Sequence, residues 1–438
     1  MSAAPDAVPR HLTLPTAVAI VVANMVGTGV FTSLGFQVAA IPTGFPILLL
    51  WACGGLISFC GAVCYAELAA MMPRSGGEYH LLGQAYHPFA GFLSGWISVT
   101  VGFAAPVAIA GLAFGEYVAA VSGWEHPTLL ASALVVSVTA VHLAGPRAAG
   151  GFQVAFTVGK LLLLLVLILA GLFLRGDSGM TLAWREGDAA RILSPEFAMA
   201  LFFVMYAYSG WNAAAYVAGD MRRPERNVPL ALLLGTAVVT ALYLGVNAVF
   251  LVTTPAAEMA GQEEVGFIAA RHLFGESGGR FMGILIAFGL VSTVSSMTWT
   301  GPRVGMVMGE DHRLFRPLAR RSGNGTPWIA ILGQAAVVLA LLWLVPFERI
   351  LYYIEAILIL SSMLAVAAVF VLRRRCPDAP RPYRAWGYPV TPLLFLAVSL
   401  YMLWVFVGRQ PAEAAGGLLT LVAGAAVYAY GNRRRRNA

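Results

Sequence analysis

Ala23-Asn24-Met25-Val26-Gly27-Thr28-Gly29-Val30-Phe31 interrupts an apolar run over residues 16–40. Each glycine weakens a helix by about 1 kcal/mol relative to alanine. At membrane depth, non-helical backbone is tolerated only where protein buries it or where it lines a cavity. A second interruption, Tyr206-Ala207-Tyr208-Ser209-Gly210-Trp211-Asn212, lies in the run over 196–219. One membrane glycine is explained by close helix packing. Two interruptions at matching positions of two halves point instead to broken helices around a binding site.

Composition places these runs in a bilayer. Of the 438 residues 59% are hydrophobic and 11% charged, too few polar groups to cover a soluble surface. A spanning helix needs roughly 20 apolar residues. Runs of that kind fall at 16–40, 45–72, 90–121, 128–145, 152–174, 196–219, 229–253, 279–308, 327–345, 349–372, 389–407 and 412–430. The reading is an all-α polytopic protein of 12 spans, in one transmembrane domain over 1–438. Its five-helix repeats cover 1–175 and, inverted, 195–373; two further helices follow at 389–430. Helices 1 and 6 are broken. The first run carries one basic residue before it, Arg10, and no cleavage pattern after it, so it is expected to be retained.

Arginine sets the orientation. With the N-terminus inside, 20 arginines fall in cytoplasmic segments and 7 in outer loops. Both termini are therefore expected in the cytoplasm, in a cell (inner) membrane. The net charge of +7 is a topology signal and implies no nucleic acid. The closing run Arg433 to Arg436 reads as an anchor at anionic lipid. Cys53, Cys60, Cys64 and Cys376 form no CxxC pair, so neither a metal nor a redox cofactor is expected.

Lys160 is the only lysine, and it lies within span 5 in Phe156-Thr157-Val158-Gly159-Lys160-Leu161. A mid-membrane lysine costs about 2.5–3.5 kcal/mol on insertion scales, which makes it a candidate for function. Snorkelling to the inner interface is the alternative. Glu67, Glu116 and Glu355 are weaker candidates, and none is placed to read a cationic side chain. Catalysis is not indicated: the seven histidines fall in loops or near helix ends, and no intramembrane aspartate pair exists.

The order of motifs resembles the amino acid–polyamine–organocation superfamily, in its L-type amino acid transporter-like branch. The matching residues are Gly27-Thr28-Gly29-Val30-Phe31, Tyr65-Ala66-Glu67-Leu68 with Pro73-Arg74-Ser75-Gly76-Gly77-Glu78-Tyr79, and Tyr208-Ser209-Gly210-Trp211-Asn212 with Pro224-Glu225-Arg226-Asn227-Val228-Pro229. Leu372-Arg373-Arg374-Arg375 through Gly387-Tyr388-Pro389 completes the set. The resemblance implies a secondary transporter of amino acids, working by alternating access.

An amino acid brings a carboxylate and an ammonium. The helix restarting after Gly27 offers unpaired N–H groups and roughly +0.5 charge, suited to the carboxylate. Similar transporters bind the carboxylate at this stretch, so Gly27, Thr28 and Gly29 are the expected residues. The family places ammonium acceptors at positions matching Met25, Tyr206 and the Ser209 carbonyl, with Tyr206 also a gate. Trp211 and Asn212 are expected to brace the unwound segment.

In sodium-coupled relatives a sodium ion bridges spans 1 and 8, and a span-5 lysine resembles a fixed cation in its place. Lys160 is then expected to bond span-1 carbonyls and hydroxyls among Ser292, Thr293, Ser295 and Ser296. It either loads a coupled proton or stays charged as a strut, and the sequence leaves both open. The resemblance implies sodium-independent transport with Lys160 in the sodium's place, and the lack of a carboxylate placed to read a cationic side chain favours neutral amino acids. Polyamines, other organic cations or acids, and a sensor that keeps the fold are the alternatives. Some relatives bind a partner through a cysteine between spans 3 and 4. The segment Ser122 to Pro127 has none, so no disulfide-linked partner subunit is expected.

Overall fold

The computed structural model describes residues 10–174, 180–262, 264–344 and 347–436, without side chains at 32, 347–356, 413 and 432–436. Among the described residues every regular element is helical, and a single parallel bridge joins Leu12 to Met221. Eight helices are long and apolar enough to cross a membrane; Leu14–Met25, Pro127–Leu143, Pro195–Tyr208 and Trp328–Leu344 are shorter apolar helices. Glu355 and Arg175 fall outside the described side chains.

Span 5, Pro146–Leu174, shows how the sequence sorts its faces. Lys160, Leu164, Leu167 and Gly171 are buried, whereas Leu162, Val166, Leu169 and Phe173 are exposed. The two sets alternate with helical period, and both are apolar apart from Lys160. Exposed leucine, valine and phenylalanine face hydrocarbon, so the lysine is the residue turned inward.

Both expected breaks are present. Span 1 is divided into Leu14–Met25 and Gly29–Ala40. Span 6 runs as Pro195–Tyr208, then unwinds, and resumes as the single turn Ala213–Tyr216. Its continuous helix therefore ends at Tyr208 rather than near 219.

Other boundaries depart from the sequence reading as well, span 5 among them, which begins at Pro146 rather than 152. Span 3 changes pitch: Pro88–Ile97 passes through a π-helical turn, Ser98–Gly102, before Ala104–Ser122. A π-turn widens the backbone and is common at functional sites. Span 7 begins at Pro224 rather than 229, because proline is well suited to the first helical turn. The helix containing span 8 extends over Val265–Asp311, and the part before 279 is set off by a kink at Gly275, whose φ is +73°.

Polar contacts fasten the helix ends. Arg373 donates to both oxygens of buried Glu67 at 2.9 and 2.6 Å, and the Ala385 N–H donates to the same carboxylate at 2.7 Å. Glu67 is thus an ion-paired carboxylate at the end of its helix. Glu116 is exposed and away from these contacts. Arg303 pairs with Asp220, joining span 8 to the end of span 6. Leu12 donates to Asp220 O and accepts from Arg222 N–H, so the strap before span 1 is tied there too.

Candidate functional site

The two breaks face each other. A Cβ added at Gly29 would lie 2.8 Å from Ala207 Cα, and one at Gly210 2.7 Å from Asn24 Cβ. Gly210 also has φ +96°, a conformation that side chains rarely adopt. Glycine at these positions is what lets the two unwound segments touch.

A cavity of about 340 Å³, counting its open mouth, lies between them. Met25, Gly27, Thr28, Gly29, Tyr206 and Ser209 all line it. The six residues proposed for substrate from sequence are thus brought to one cavity. The helix restart at Gly29 supplies the positive end, with Thr28 buried at its cap position. No charged side chain is among the lining residues.

The carbonyl ends carry a feature the sequence reading missed. Tyr243, buried in span 7, donates to Met25 O at 2.7 Å and Ala207 O at 2.9 Å. One hydroxyl proton thus serves the last turns of both interrupted helices. Met25 O also accepts from the Gly27 N–H at 2.9 Å. Both of its lone pairs are engaged, so a ligand ammonium at that carbonyl would displace the tyrosine.

Lys160 sits behind the span-1 break. It is 2% exposed, and its Nζ donates to Val26 O and, at 2.7 Å, to Thr293 Oγ1. Thr293 donates to the same carbonyl at 2.9 Å. Lys160 is therefore inserted between spans 1 and 8 rather than snorkelling outward. Of the four span-8 hydroxyls considered, Thr293 is the one it reaches. Ser292 donates to Gly289 O, Ser295 bonds His142 Nε2, and Ser296 bonds Asn24 and Ile20 O. Successive helical residues point 100° apart, so Thr293 and Ser296 face span 1 while Ser292 and Ser295 turn away.

The span-6 break is braced differently. Asn212 donates to Glu78 Oε1 at 2.6 Å, and the Tyr65 hydroxyl donates to the same oxygen at 2.7 Å. Trp211 stacks edge-on against Tyr65, with ring centroids 4.8 Å apart. Trp211 and Asn212 thus brace the unwound chain as expected. Glu78 was visible within the Pro73 to Tyr79 motif, but nothing in that motif says what it faces. A second, larger cavity of about 840 Å³, counting its open mouth, lies beside it, sharing Asn24, Pro106, Ser209 and Met297 with the first. Ser98, Gly102 and Phe103, at the π-turn of span 3, form part of its wall.

Comparison with known proteins fits this geometry. The model of the amino acid permease family matches residues 12–427. The serine/threonine exchanger SteT of Bacillus subtilis is 28% identical over 98% of both chains. The human b(0,+)-type amino acid transporter 1 is 27% identical over 92% of this chain and 83% of its own. The mouse large neutral amino acids transporter small subunit 2 is 29% identical over 97% of this chain and 81% of its own.

Proposed function

The chain belongs to the amino acid permease family, and from that membership we propose that it moves neutral amino acids by sodium-independent alternating access. It is a multi-pass membrane protein and a transporter rather than an enzyme. The observation that carries the finer reading is that one cavity between the two breaks is lined by all six expected residues and by no charge. The helix restart at Gly29 holds the substrate carboxylate. Tyr206 and the Ser209 carbonyl receive the ammonium. Lys160 stands as a fixed cation between Val26 O and Thr293, where a sodium ion would otherwise join spans 1 and 8. The transport cycle moves the two five-helix repeats, 1–175 and 195–373, against each other.

We place the protein in the cell membrane with both termini in the cytoplasm, on the arginine asymmetry. The protein acts without a disulfide-linked partner, because Ser122 to Pro127 holds no cysteine. Counterflow in proteoliposomes tests this reading. Vesicles loaded with unlabelled serine, threonine or leucine should concentrate the labelled amino acid without sodium. Uptake that stops when sodium is removed would end the fixed-cation assignment. Binding without counterflow would mark a sensor. Repeating the assay across a pH gradient separates proton symport from exchange.

A further inference from the structure

The segment joining spans 8 and 9 carries positive charge that the protein itself does not neutralise. From His312 to Trp328 the chain holds four arginines and no acid. The two acids just before it are already engaged: Arg74 pairs with Glu310 and Asp311, and Arg321 with Glu310. Arg313, Arg316 and Arg320 are exposed, and no described ion pair includes them. Arginines elsewhere differ in this respect. Arg303 and Arg373 are held by Asp220 and Glu67, and Arg381 donates to a set of backbone carbonyls.

The local fold sorts this segment into edges. Arg313–Ala319 is a 3₁₀ helix. Three residues make a turn, so side chains at i and i+3 share an edge. Phe315 and Leu318 form the edge turned to the protein. Phe315 lies against Phe92 with ring centroids 5.9 Å apart, and a Cβ added at Gly305 of span 8 would lie 3.4 Å from Leu318. One added at Gly309 would lie 2.5 Å from Phe315 O, so the helix rests with its backbone against span 8. Leu314 and Pro317 form a second edge, and both are exposed, Leu314 by 44%. Arg313 and Arg316 form the third. An exposed apolar edge beside a cationic edge suits a helix lying in the membrane interface, with apolar groups at the acyl boundary and cations at the phosphates. Trp328, exposed in the first turn of span 9, is of the residue type enriched at headgroup level.

We infer that this segment is a docking surface for an anionic phospholipid, its headgroup phosphate held by Arg313, Arg316 and Arg320 and its acyl chains met by Leu314. Guanidinium and phosphate pair through two parallel hydrogen bonds. A zwitterionic headgroup brings its own ammonium to the same phosphate, so the surface prefers a lipid with net negative charge. The docking goes beyond the transport reading and does not depend on which substrate is carried.

Lipid retention by the full chain in detergent tests this, and it needs no transport, so its outcome is separate from that of counterflow. The protein is loaded with labelled phosphatidylglycerol or phosphatidylcholine, washed, and the retained lipid counted. The wild type should retain roughly fivefold more phosphatidylglycerol than phosphatidylcholine. The triple variant Arg313→Gln, Arg316→Gln, Arg320→Gln should lose that preference. A control with Arg226→Gln, Arg374→Gln and Arg384→Gln, which removes the same charge from other exposed arginines, should keep most of it. Leu314→Asn, with every arginine in place, should lower retention roughly twofold. The inference is overturned if the wild type shows no preference, or if the control loses as much as the first triple variant, since net charge alone would then explain the binding. Loss in the first triple variant with none in Leu314→Asn would assign the arginines to a free anion and overturn the lipid docking.

Discussion

The two broken helices meet at one cavity but are held by different side chains. At the span-1 break the buried amine of Lys160 caps the Val26 carbonyl. At the span-6 break a buried carboxylate, Glu78, receives Asn212 of the unwound chain. The resumed helices differ as well: 12 residues from Gly29 in span 1, a single turn from Ala213 in span 6. The first break is therefore followed by a full helix, whose aligned peptides can hold an anion. The second ends in a turn too short for that role, so its contribution is a run of carbonyls and the side chains that brace them. The difference supports the proposal that the carboxylate end of a substrate lies at span 1 and its ammonium at span 6.

The largest expected effect lies at Lys160. Lys160→Ala should lower counterflow roughly 10- to 150-fold, the loss expected from hydrogen bonds to a charged group worth about 1.5–3 kcal/mol. Wild-type-like uptake in proteoliposomes would show that the cation is not needed at this break. The glycines sharpen the contrast next. Gly210→Ala places a methyl at φ +96° and within 2.8 Å of the Asn24 backbone, costing about 1–3 kcal/mol in strain before the clash is counted. Its uptake should fall about tenfold or more, with a lowered melting temperature. Gly27→Ala meets only Thr293 Cγ2 at 3.7 Å. That variant should melt as the wild type does and show a raised KM, since the methyl borders the substrate cavity. Equal behaviour of the two variants would mean that the breaks are not distinguished by packing.

Tyr243→Phe removes the hydroxyl shared by the two carbonyl ends. Met25 O keeps the Gly27 N–H, but losing a buried hydrogen bond costs about 0.5–1.5 kcal/mol, so thermal stability should fall while the affinity for substrate shifts. A variant unchanged in both would show that the two ends are not linked through this residue.

The smallest effect concerns the loop helix Glu78–Ala85, which brings Glu78 to span 6. His80 on that helix is held down to about 4, chiefly by burial and secondarily by Arg74. A histidine depressed in the fold stays neutral there while the unfolded chain takes up a proton. Its stabilising effect is complete above the ordinary value of 6.5 and is lost as pH falls towards about 4. Between pH 7 and pH 4.5 the melting temperature of His80→Gln should fall by roughly 2–4 °C less than that of the wild type. An identical fall in both would separate His80 from acid sensitivity.

Much of the site was legible as chemistry that does not belong in hydrocarbon. Gly27-Thr28-Gly29, the Ser209-Gly210 pair and a lone lysine each violate what a lipid-facing helix would carry, and all proved to be at the two breaks. Tyr243 was not legible, because a tyrosine inside an apolar helix looks the same whether it packs or donates. Glu78 stood within a recognised motif, but a loop residue reveals its partner only when the loop is docked. Among Ser292, Thr293, Ser295 and Ser296, composition alone could not separate the hydroxyl facing span 1 from those facing elsewhere; helix rotation did.

The sequence alone determined the solvent, the broken helices and the identity of the exceptional lysine. Those follow from local preference and from the cost of polar groups in a bilayer, which act residue by residue. Tertiary structure decided which carbonyl Lys160 caps, that one tyrosine joins both breaks, and that a second cavity holds the Glu78 carboxylate. Those depend on distances between residues such as Lys160 and Val26, or Glu78 and Asn212, that lie 134 positions apart in the chain. No local preference specifies how such residues meet; packing of the helices does.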